Sequence, residues 1–533
     1  MYINKNIIHS WKQKFKRKPT ACPLFSFDQL NREQKFIIEQ VRIQNEKSDE
    51  EFFSNPLRLV VAGVAGSGKS SIIEHLQFIF EEATNNNENN KSGFPNFIIC
   101  APTGVASFQV SGQTIHHAFH IARFGNSSTR RTAGYKEQQQ QHYYIPTRDQ
   151  IPVHVREEMR HIHWIIIEEF GLVGLALMNY MDYFMRNAVG GSFQNFPFAN
   201  RSVVCLGDIH QLSPVKDVPL FKPLKKISNA DLKLTAELYR SFDAVVMSNV
   251  SLRQIGDSGE QRAFRLLLQH LSHAEVTDFD FELICSRLHK NLTVDERIHI
   301  EKVGIAVFQT NAQTKLYNRK MLNRNCKDII TIANSLFDDD PLELGIGAPI
   351  LLNRNLSLEL GLVNGSYGYV VDLIGDGYDS TNAQNKKDER AHETKVQCIL
   401  VHFPEYAGTE FIETSKGRGV PIFRITEPYE HKIGDKYPII ERFPLVLAWS
   451  LTIHKVQGLT LNKIIITLGQ EQMCCGIDYV AFSRVKSLND IMIMDENVSI
   501  ERFQGKTYHG LQYRIQEEQR LNELYNKQKN NVM

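Results

Sequence analysis

The feature that most constrains this chain is a glycine-rich segment, Gly63–Ser70, with the sequence Gly-Val-Ala-Gly-Ser-Gly-Lys-Ser. It fits the pattern GxxxxGK(S/T), and it lies between an apolar run, Leu57–Ala62, and a helical pattern, Ser71–Glu82. Glycines let backbone N–H groups curl round phosphate oxygens, and the N-terminus of the next helix adds partial positive charge. The segment therefore predicts a nucleoside triphosphate site in which Lys69 reaches the β- and γ-phosphates and Ser70 binds Mg²⁺.

Two carboxylates follow a second apolar run and predict the metal and water chemistry of that site. Glu168 and Glu169 come directly after Trp164–Ile167. Nucleotide hydrolysis needs one acid near Mg²⁺ and another group that orients or deprotonates the attacking water. We assign the first role to Glu168 and the second to Glu169. A Glu extends roughly 1 Å further than an Asp, and Mg²⁺ tolerates such a shift poorly unless a water bridges the gap.

The fold class follows from short apolar runs that do not alternate with polar residues. Runs of this kind are typical of strands buried on both faces of a parallel sheet, and helical stretches such as Ala263–Leu271 lie between them. We therefore predict an α/β fold. The remaining predicted strands are Phe97–Ala101, Val203–Leu206, Ile305–Phe308, Leu445–Ala448, Ile464–Leu468 and Ile491–Met494.

Composition narrows the class of protein further. Lys and Arg number 61 against 60 Asp and Glu, so any site for a polyanion has to be a local patch. The 8 cysteines form no CxxC pair, which speaks against a cysteine zinc site or a disulfide framework and favours a reducing compartment. No apolar run approaches the roughly 20 residues of a membrane span, so we expect no membrane insertion.

The N-terminal segment, residues 1–27, is basic and lacks Asp and Glu. It has no apolar core of a secretory signal, and three interpretations stay open. It is a solvated arm that contacts DNA, a nuclear signal at Lys14–Lys18, or a mitochondrial presequence. We expect an intracellular protein, in the nucleus or mitochondrion of a eukaryote or in the cytoplasm of a bacterial or virus-infected cell.

Further short motifs follow one another in a characteristic order. They are Leu30–Gln34, Ala101–Ala106, Gly112–His117, Gly207–Val215, Leu252–Gln254, Pro444–Gly458 and Tyr479–Val485. Together with Gly63–Ser70 and the acidic pair, they resemble the motifs of superfamily-one helicases. The resemblance is to the Pif (petite integration frequency) family, B group, and it covers roughly residues 28–500.

The resemblance implies two RecA-like P-loop motor domains with a small inserted wedge and an SH3-like β-barrel. The implied boundaries are 1–27 for the basic arm, 28–120 and 156–245 for motor domain 1A, 121–155 for the wedge 1B, 246–360 and 441–500 for motor domain 2A, 361–440 for the SH3-like insertion 2B, and 501–533 for a C-terminal helix. Basic and aromatic residues suit the wedge to strand separation, although a solvated loop fits them equally. The C-terminal helix is expected to dock on the protein rather than to bind a partner.

The resemblance also implies roles for individual residues. Lys69, Glu169, Gln211, Arg253 and Arg484 are the expected catalytic groups, and both arginines are expected to reach the nucleotide from a second domain. Ser70 and Glu168 are the expected metal ligands. The expected nucleotide contacts are Gln34, which reads the adenine edge, and Gly63, Gly66, Ser67, Gly68, Lys69, Ser70, Ser71 and Gly458.

Contacts to the DNA strand are expected from short polar groups, backbone amides and one aromatic ring at strand ends. For the two adjacent histidines, the packing of a turn is the alternative interpretation. The expected DNA-binding residues are Thr103, Gly104, His116, His117, Phe119, Thr452, His454 and Lys455.

The chain departs from the family pattern at a few positions. Glu168 replaces the common Asp, His117 and Val456 each replace a Ser, and Ser213 and Phe482 replace a Pro and a Leu. The first change bears on turnover, and the loss of two hydroxyls bears on the grip on DNA.

The function implied is an ATP-dependent 5′→3′ DNA helicase that moves on single-stranded DNA and unwinds duplex, driven by Mg-ATP hydrolysis, in DNA replication, repair or recombination. Its partners would be single-stranded and forked DNA, and it would act as a monomer. Two alternatives stay open. One is a DNA-stimulated ATPase that remodels protein–DNA complexes with little unwinding, and the other is a weakly catalytic, nucleotide-dependent DNA-binding protein, motivated by Glu168.

Overall fold

In a computed structural model, the described residues are 26–86, 95–121, 143–248, 250–332, 341–357, 360–376, 395–408, 411–428, 439–469, 472–505 and 509–532. They form two compact units. The first consists of the described parts of Met1–Arg297, Gln457–Asn462 and Leu468–Met533, and the second of those of Ile298–Val456 and Lys463–Thr467. Most of the predicted arm 1–27 and wedge 121–155 lies outside the described residues.

The strands, in chain order, are β1 (Arg58–Gly63), β2 (Phe97–Ala101), β3 (Gln113–Thr114), β4 (Trp164–Ile167), β5 (Ser202–Gly207), β6 (Ala244–Ser248), β7 (Ile305–Phe308), β8 (Ile329–Ile332), β9 (Leu342–Gly345), β10 (Pro349–Leu352), β11 (Tyr367–Asp376), β12 (Lys395–His402), β13 (Ile412–Thr414), β14 (Gly417–Phe423), β15 (Ile425–Pro428), β16 (Ile439–Arg442), β17 (Leu445–Leu447), β18 (Ser450–Thr452), β19 (Ile464–Ile466) and β20 (Ile491–Ile493).

The α-helices are α1 (Arg32–Asn45), α2 (Asp49–Ser54), α3 (Lys69–Asn86), α4 (Gly104–Gln109), α5 (Ile115–Ala118), α6 (Val153–His161), α7 (Leu175–Val189), α8 (Ala230–Arg240), α9 (Gly259–His273), α10 (Asp278–Ser286), α11 (Val294–Val303), α12 (Asn311–Asn325), α13 (Ile453–Val456), α14 (Ile477–Phe482) and α15 (His509–Val532). Among the helices that the structure describes, none is long and apolar enough to cross a membrane.

The first unit is built on a parallel sheet of six strands in the order β3-β2-β4-β5-β1-β6. Its central strands are buried throughout, as the unbroken apolar runs predict for a sheet covered on both faces. The carboxyl ends of parallel strands meet at one edge, so the segments after β1, β4 and β5 come together there. This edge brings the glycine-rich loop, the acidic pair and the 207–215 motif into one place.

The C-terminal helix α15 docks on the first unit, as the sequence predicts. Leu521 is fully buried in the core that covers one face of the sheet, and Tyr239 of α8 donates a hydrogen bond to Glu517 at 2.8 Å. The helix therefore contributes to the core of the first unit through an apolar contact and one buried polar contact.

The second unit contains an antiparallel sheet in the order β13-β14-β12-β11-β10-β17 and a parallel arrangement of β18, β7 and β19. The first of these sheets occupies much of the predicted insertion 361–440. The prediction that Leu445–Ala448 forms a strand of a parallel sheet is wrong, because β17 pairs antiparallel with β10 at the edge of this sheet. Apolar runs predict burial on both faces, and burial does not fix the strand direction.

The structure groups the chain differently from the sequence-based boundaries. Those boundaries place 246–297 and 468–500 in motor domain 2A, whereas in the structure both stretches belong to the first unit. The domain boundaries themselves stay a prediction.

Candidate active site

The glycine-rich loop between β1 and α3 is held in a conformation that requires glycine. Gly66 and Gly68 have φ of +78° and +79°, and a Cβ on Gly66 would lie 2.5 Å from the Cβ of Arg253. Lys69 is 7% exposed, and its Nζ donates to the carbonyls of Gly63 at 2.9 Å and Val64 at 3.0 Å. The lysine thus lies across the loop, where a phosphate would take over these contacts.

The acidic pair at the end of β4 is buried beside this loop. Glu169 has φ +53°, a left-handed conformation that turns the chain sharply and that few non-glycine residues adopt. Both carboxylates line the same cleft, and in each case Oε2 is buried without a hydrogen-bond partner among the described residues. Burial and the adjacent charge of Glu169 raise the pKa of Glu168 to about 8, although Lys69 acts in the opposite direction. The pair therefore leaves two buried oxygens without partners, and a cation bound beside them would favour the charged form of Glu168.

Two arginines complete the charged wall of the cleft. Arg253 donates to the carbonyl of Ser483 at 2.8 Å, and Arg484 donates to the carbonyls of Val480 at 2.8 Å and Leu459 at 3.2 Å. Burial, together with the neighbouring charge of Arg253, lowers the pKa of Arg484 to about 10. Both arginines lie in the unit that holds the glycine-rich loop, so the expectation that they reach it only from a second domain does not describe this structure.

A hydrogen-bonded chain connects the glycine-rich loop to the segment after β5. The N–H of Ala65 donates to the Tyr479 hydroxyl at 3.1 Å, which donates in turn to Asp208 at 2.7 Å. Gln211 donates from Nε2 to the same oxygen, Asp208 Oδ2, at 3.2 Å, while its Oε1 is buried without a partner among the described residues. Gln211 is thereby connected to the loop through two side chains that are both buried.

These groups enclose one cleft of about 320 Å³ in the first unit. Eleven of the residues that line it were predicted from the sequence: Gly66, Ser67, Gly68, Lys69, Ser70, Glu168, Glu169, Gln211, Arg253, Gly458 and Arg484. Gly458 has φ +84°, and a Cβ there would lie 3.8 Å from Glu169 Oε1.

Three of the predicted nucleotide contacts lie beside the cleft rather than in its lining. Gln34 caps α1 and donates from Nε2 to the carbonyl of Gly68 at 3.3 Å, so it lies against the loop. Gly63 ends β1, and its carbonyl accepts from Lys69. Ser71 lies in the first turn of α3, and its carbonyl faces His75 Nδ1 at 2.8 Å.

The predicted DNA contacts of the first unit follow β2 and β3. Thr103 is exposed and caps α4 by accepting from the N–H of Ala106 at 3.2 Å, and Gly104 is the buried first residue of that helix. His117 is exposed and contacts Gln113 through Nδ1 at 2.8 Å, whereas His116 is half-buried with its ring edge towards Tyr143. Thr103 and His117 are thus accessible to a ligand.

The prediction that Phe119 stacks on a base is wrong. The ring is 0% exposed and packs edge-on against Phe184 in the core, with centroids 6.0 Å apart. No face of the ring is available to a base. An aromatic residue after a polar motif was assigned to the surface, but its neighbours in the fold bury it.

The predicted DNA contacts of the second unit lie at the end of β18 and in α13. Thr452 is buried, whereas His454 and Lys455 are exposed on the short helix that follows. The two units therefore each carry part of the predicted DNA-binding set.

Several residues that line the cleft or hydrogen-bond to its lining were not assigned a role from the sequence. Asp208 and Tyr479 contact lining residues and lie inside quoted motifs, so only their contact was not visible. Ala65 and Leu252 line the cleft and also lie inside quoted motifs. Nothing in the local sequence pattern singles out the other lining residues, which are Gln109, Thr460 and Lys486.

Comparison with known proteins yields two family matches. Residues 44–270 match the model of an AAA domain, and residues 331–373 match that of the 2B domain of DNA helicase Pif1. The match to an AAA domain supports nucleotide binding at the cleft.

Curated relatives match over most of the chain at low identity. The ATP-dependent DNA helicase PIF1 of Candida albicans is 23% identical over 88% of this chain and 54% of its own length. The protein of the same name from Homo sapiens is 24% identical over 77% of this chain and 56% of its own length. The chain thus spans about half the length of these relatives.

Solved structures agree with the fold. The crystal structure of Pif1 helicase from Candida albicans matches with a TM-score of 0.61 at 21% identity, over 93% of this chain and 99% of that one. The structure of Bacteroides Pif1 bound to ssDNA matches with a TM-score of 0.57 at 22% identity, over 89% and 93%. At this identity the likeness establishes the fold.

Proposed function

We propose that this chain is a member of the Pif1 family and an ATP-driven motor that moves 5′→3′ along single-stranded DNA and unwinds the duplex ahead of it. The observation that carries the proposal is the cleft itself. It gathers a phosphate-binding lysine, two unpartnered carboxylates, a glutamine and two arginines around one glycine-rich loop.

The nucleotide is bound by the loop and its lysine. Backbone N–H groups and Lys69 bind the phosphates, and we assign the base to Gln34, whose contact with Gly68 holds it against the loop. The residues present also fit a magnesium ion, because the hydroxyl of Ser70 and the unpartnered Oε2 of Glu168 line the same cleft. An ion held by these two residues would supply positive charge against the charge that develops on the transferred phosphoryl group.

The remaining groups act on the water and on the transferred phosphoryl group. Glu169 orients the attacking water and accepts its proton, since its second oxygen is free of other hydrogen bonds among the described residues. Arg253 and Arg484 stabilise the charge on the γ-phosphate, a contribution of about 10³–10⁵ in rate in related enzymes. Gln211 senses the γ-phosphate through the second N–H of Nε2 and passes the change to Asp208 through the first, while its unpartnered Oε1 is an acceptor for the attacking water.

Contacts to DNA follow from the exposed polar groups at the strand ends. Thr103 and His117 in the first unit and His454 and Lys455 in the second are available to phosphates, which carry no sequence information. Binding would therefore be independent of sequence. Melting a duplex costs about 1.4 kcal/mol per base-pair step, which a nucleotide-driven step exceeds.

We further propose that the protein acts as a monomer inside the cell. The first unit alone supplies every catalytic group that the proposed mechanism uses, so the chemistry needs no second copy. The seven cysteines in the described part of the chain carry free thiols, which supports a reducing compartment, in the nucleus or mitochondrion of a eukaryote or in the cytoplasm otherwise. Light scattering on the DNA-bound protein and microscopy of a fluorescent fusion test the two points.

The proposed function is tested by unwinding of duplexes that carry either a 5′ or a 3′ single-stranded tail. Lys69→Ala is the blank, and Lys233→Ala, an exposed lysine of α8 outside the cleft, is the matched control. We expect ATP-dependent unwinding of the 5′-tailed duplex by the wild type and the control, and none by Lys69→Ala.

Other outcomes replace the proposal with a defined alternative. Unwinding from the 3′ tail alone keeps the motor and overturns its polarity. DNA-stimulated hydrolysis without unwinding points to a translocase that remodels protein–DNA complexes. Absence of hydrolysis, restored by Glu168→Asp, identifies a weakly catalytic DNA-binding protein.

A further inference from the structure

Three potential metal-ligating side chains converge in the first unit outside the nucleotide cleft. His210 comes from the segment after β5, His273 from the last turn of α9, and Glu518 from α15. Glu518 Oε2 lies 2.8 Å from His273 Nε2 and 3.2 Å from His210 Nε2, and the two imidazole rings have centroids 4.6 Å apart. One ligand atom from each residue lies within 4.8 Å of the other two.

The burial of His210 indicates that the cluster lacks a group that would satisfy its ring nitrogens. Its side chain is 8% exposed, and neither ring nitrogen makes a hydrogen bond of acceptable geometry within the described part of the chain. A buried polar group without a hydrogen bond costs about 1–3 kcal/mol, and native structures rarely leave one unexplained. A cation bound beside Nε2 would satisfy it.

The neighbouring residues hold both imidazoles in place. His273 Nδ1 faces the carbonyl of Gln269 at 3.0 Å, so a ring protonated on Nδ1 would present its Nε2 lone pair to a cation that displaces the proton now shared with Glu518. A backbone carbonyl in this role is the usual outer partner of a metal-bound histidine. Arg514 donates to the carbonyl of His210 at 3.0 Å and to Ser213 at 3.0 Å, so it restrains the backbone that carries the other ring.

The donor set selects the class of metal. Two imidazole nitrogens and one carboxylate oxygen suit Zn²⁺ and its first-row neighbours, whereas Mg²⁺ prefers oxygen ligands alone. Bonds of about 2.0–2.1 Å in a tetrahedral zinc site place ligand atoms about 3.3 Å apart, close to the two separations seen here. We propose that His210, His273 and Glu518 form a binding site for a divalent transition metal of the zinc type.

Such a site would join three segments that are distant in sequence. The metal would connect α9 and α15 to the segment after β5, one residue before Gln211, which lines the nucleotide cleft. Three protein ligands leave a fourth position for water, since closed structural zinc sites use four. The site therefore stabilises the first unit and restrains the segment that carries Gln211.

The test uses the tag-free full chain, stripped with a chelator and then titrated with Zn²⁺ in the presence of millimolar Mg²⁺ and no nucleotide. Bound zinc is counted by elemental mass spectrometry, affinity is measured against a chromophoric chelator, and Co²⁺ is used as a visible probe of nitrogen ligation. His273→Gln and Glu518→Gln remove ligands and keep hydrogen-bonding capacity. His270→Gln, one turn earlier on α9 and paired with Asp280, is the matched control.

We expect one Zn²⁺ per chain and a rise in Tm of several degrees for the wild type and for His270→Gln. In His273→Gln and Glu518→Gln we expect the zinc affinity to fall at least tenfold and the rise in Tm to disappear. Tenfold is about the smallest loss expected when even an outer partner of a metal ligand is changed. Circular dichroism of the stripped proteins shows whether each variant is folded. Equal zinc affinity in all four proteins, or no zinc bound by a folded wild type, overturns the proposal and leaves a hydrogen-bonded cluster.

Discussion

The hydroxyl of Tyr479 donates to the carboxylate of Asp208 at 2.7 Å, deep in the first unit. The same hydroxyl accepts from the N–H of Ala65 in the glycine-rich loop at 3.1 Å. One phenol thus connects the loop that binds phosphate to the segment that carries Gln211, and it is buried with both partners.

Tyr479→Phe removes this connection without changing the size of the ring. We expect the free energy of unfolding to fall by about 1–3 kcal/mol, because a buried N–H and a buried carboxylate each lose a partner. We also expect kcat for ATP hydrolysis to fall, because Asp208 no longer holds Gln211 in place. Urea unfolding and steady-state kinetics measure the two effects, with the exposed Tyr144→Phe as control. Wild-type values for Tyr479→Phe would show that the connection is incidental.

Neutralising the two acids separately distinguishes their roles. Glu168→Gln should raise the Mg²⁺ concentration for half-maximal hydrolysis at least about tenfold, because a neutral amide binds a hard cation poorly. Glu169→Gln should instead lower kcat by about 10²–10⁴ with little change in Mg²⁺ dependence, as loss of a general base does. Magnesium titrations of ATPase activity separate the two. If the effects are exchanged, the assignment of ligand and base is reversed.

Arg253→Lys tests whether geometry matters as well as charge. Lysine keeps the positive charge but lacks the planar fork that binds phosphate oxygens in pairs. We expect single-turnover hydrolysis to fall by about 10³ in Arg253→Ala and to be restored only in part by Lys. Full restoration by Lys would mean that Arg253 acts as a point charge.

The buried ion pair between Asp478 and Arg502 is a stability element of the first unit. Their charged atoms lie 2.8 Å apart, and each side chain is 2% exposed. Asp478→Asn leaves a buried guanidinium without its counter-ion, so we expect a loss of about 3–5 kcal/mol in the free energy of unfolding. The double variant Asp478→Leu with Arg502→Met should lose less free energy of unfolding than the sum of the losses in Asp478→Leu and Arg502→Met measured singly. Additive losses in this double-mutant cycle would exclude a coupled pair.

Asp280 makes stability depend on pH. Burial disfavours its charged form, but hydrogen bonds from Thr277 and the contact with His270 outweigh burial and hold its pKa below the ordinary value. Because the folded-state pKa is the lower one, the stabilisation is complete above the unfolded value of about 3.9 and is lost as pH falls through the folded value. Asp280→Asn should therefore be less stable than wild type at neutral pH, and the difference should narrow below about pH 4. A difference that does not change with pH would rule out this ionisation.

Much of the first unit could be predicted because the sequence patterns that indicate it are local. The loop Gly63–Ser70 needs glycine at positive φ and a helix directly after it, and the acidic pair needs a strand end. Both requirements are met by residues that are adjacent in the sequence. The apolar runs of β1, β2, β4 and β5 predict a buried parallel sheet for the same reason, since burial on both faces leaves no room for alternation.

What the sequence did not show are contacts between segments far apart in the chain. The sequence predicts Phe119 to be an exposed aromatic residue, but it lies in the core because α7 packs over it. Leu445–Ala448 is predicted as a strand of a parallel sheet, but its strand pairs antiparallel, because an apolar run does not determine strand direction. Tyr479 with Asp208, and His210 with His273 and Glu518, meet only through the tertiary fold. The sequence by itself determined the chemistry of the nucleotide loop, and the tertiary structure decided which distant side chains complete it, because side-chain contacts depend on packing that no local pattern encodes.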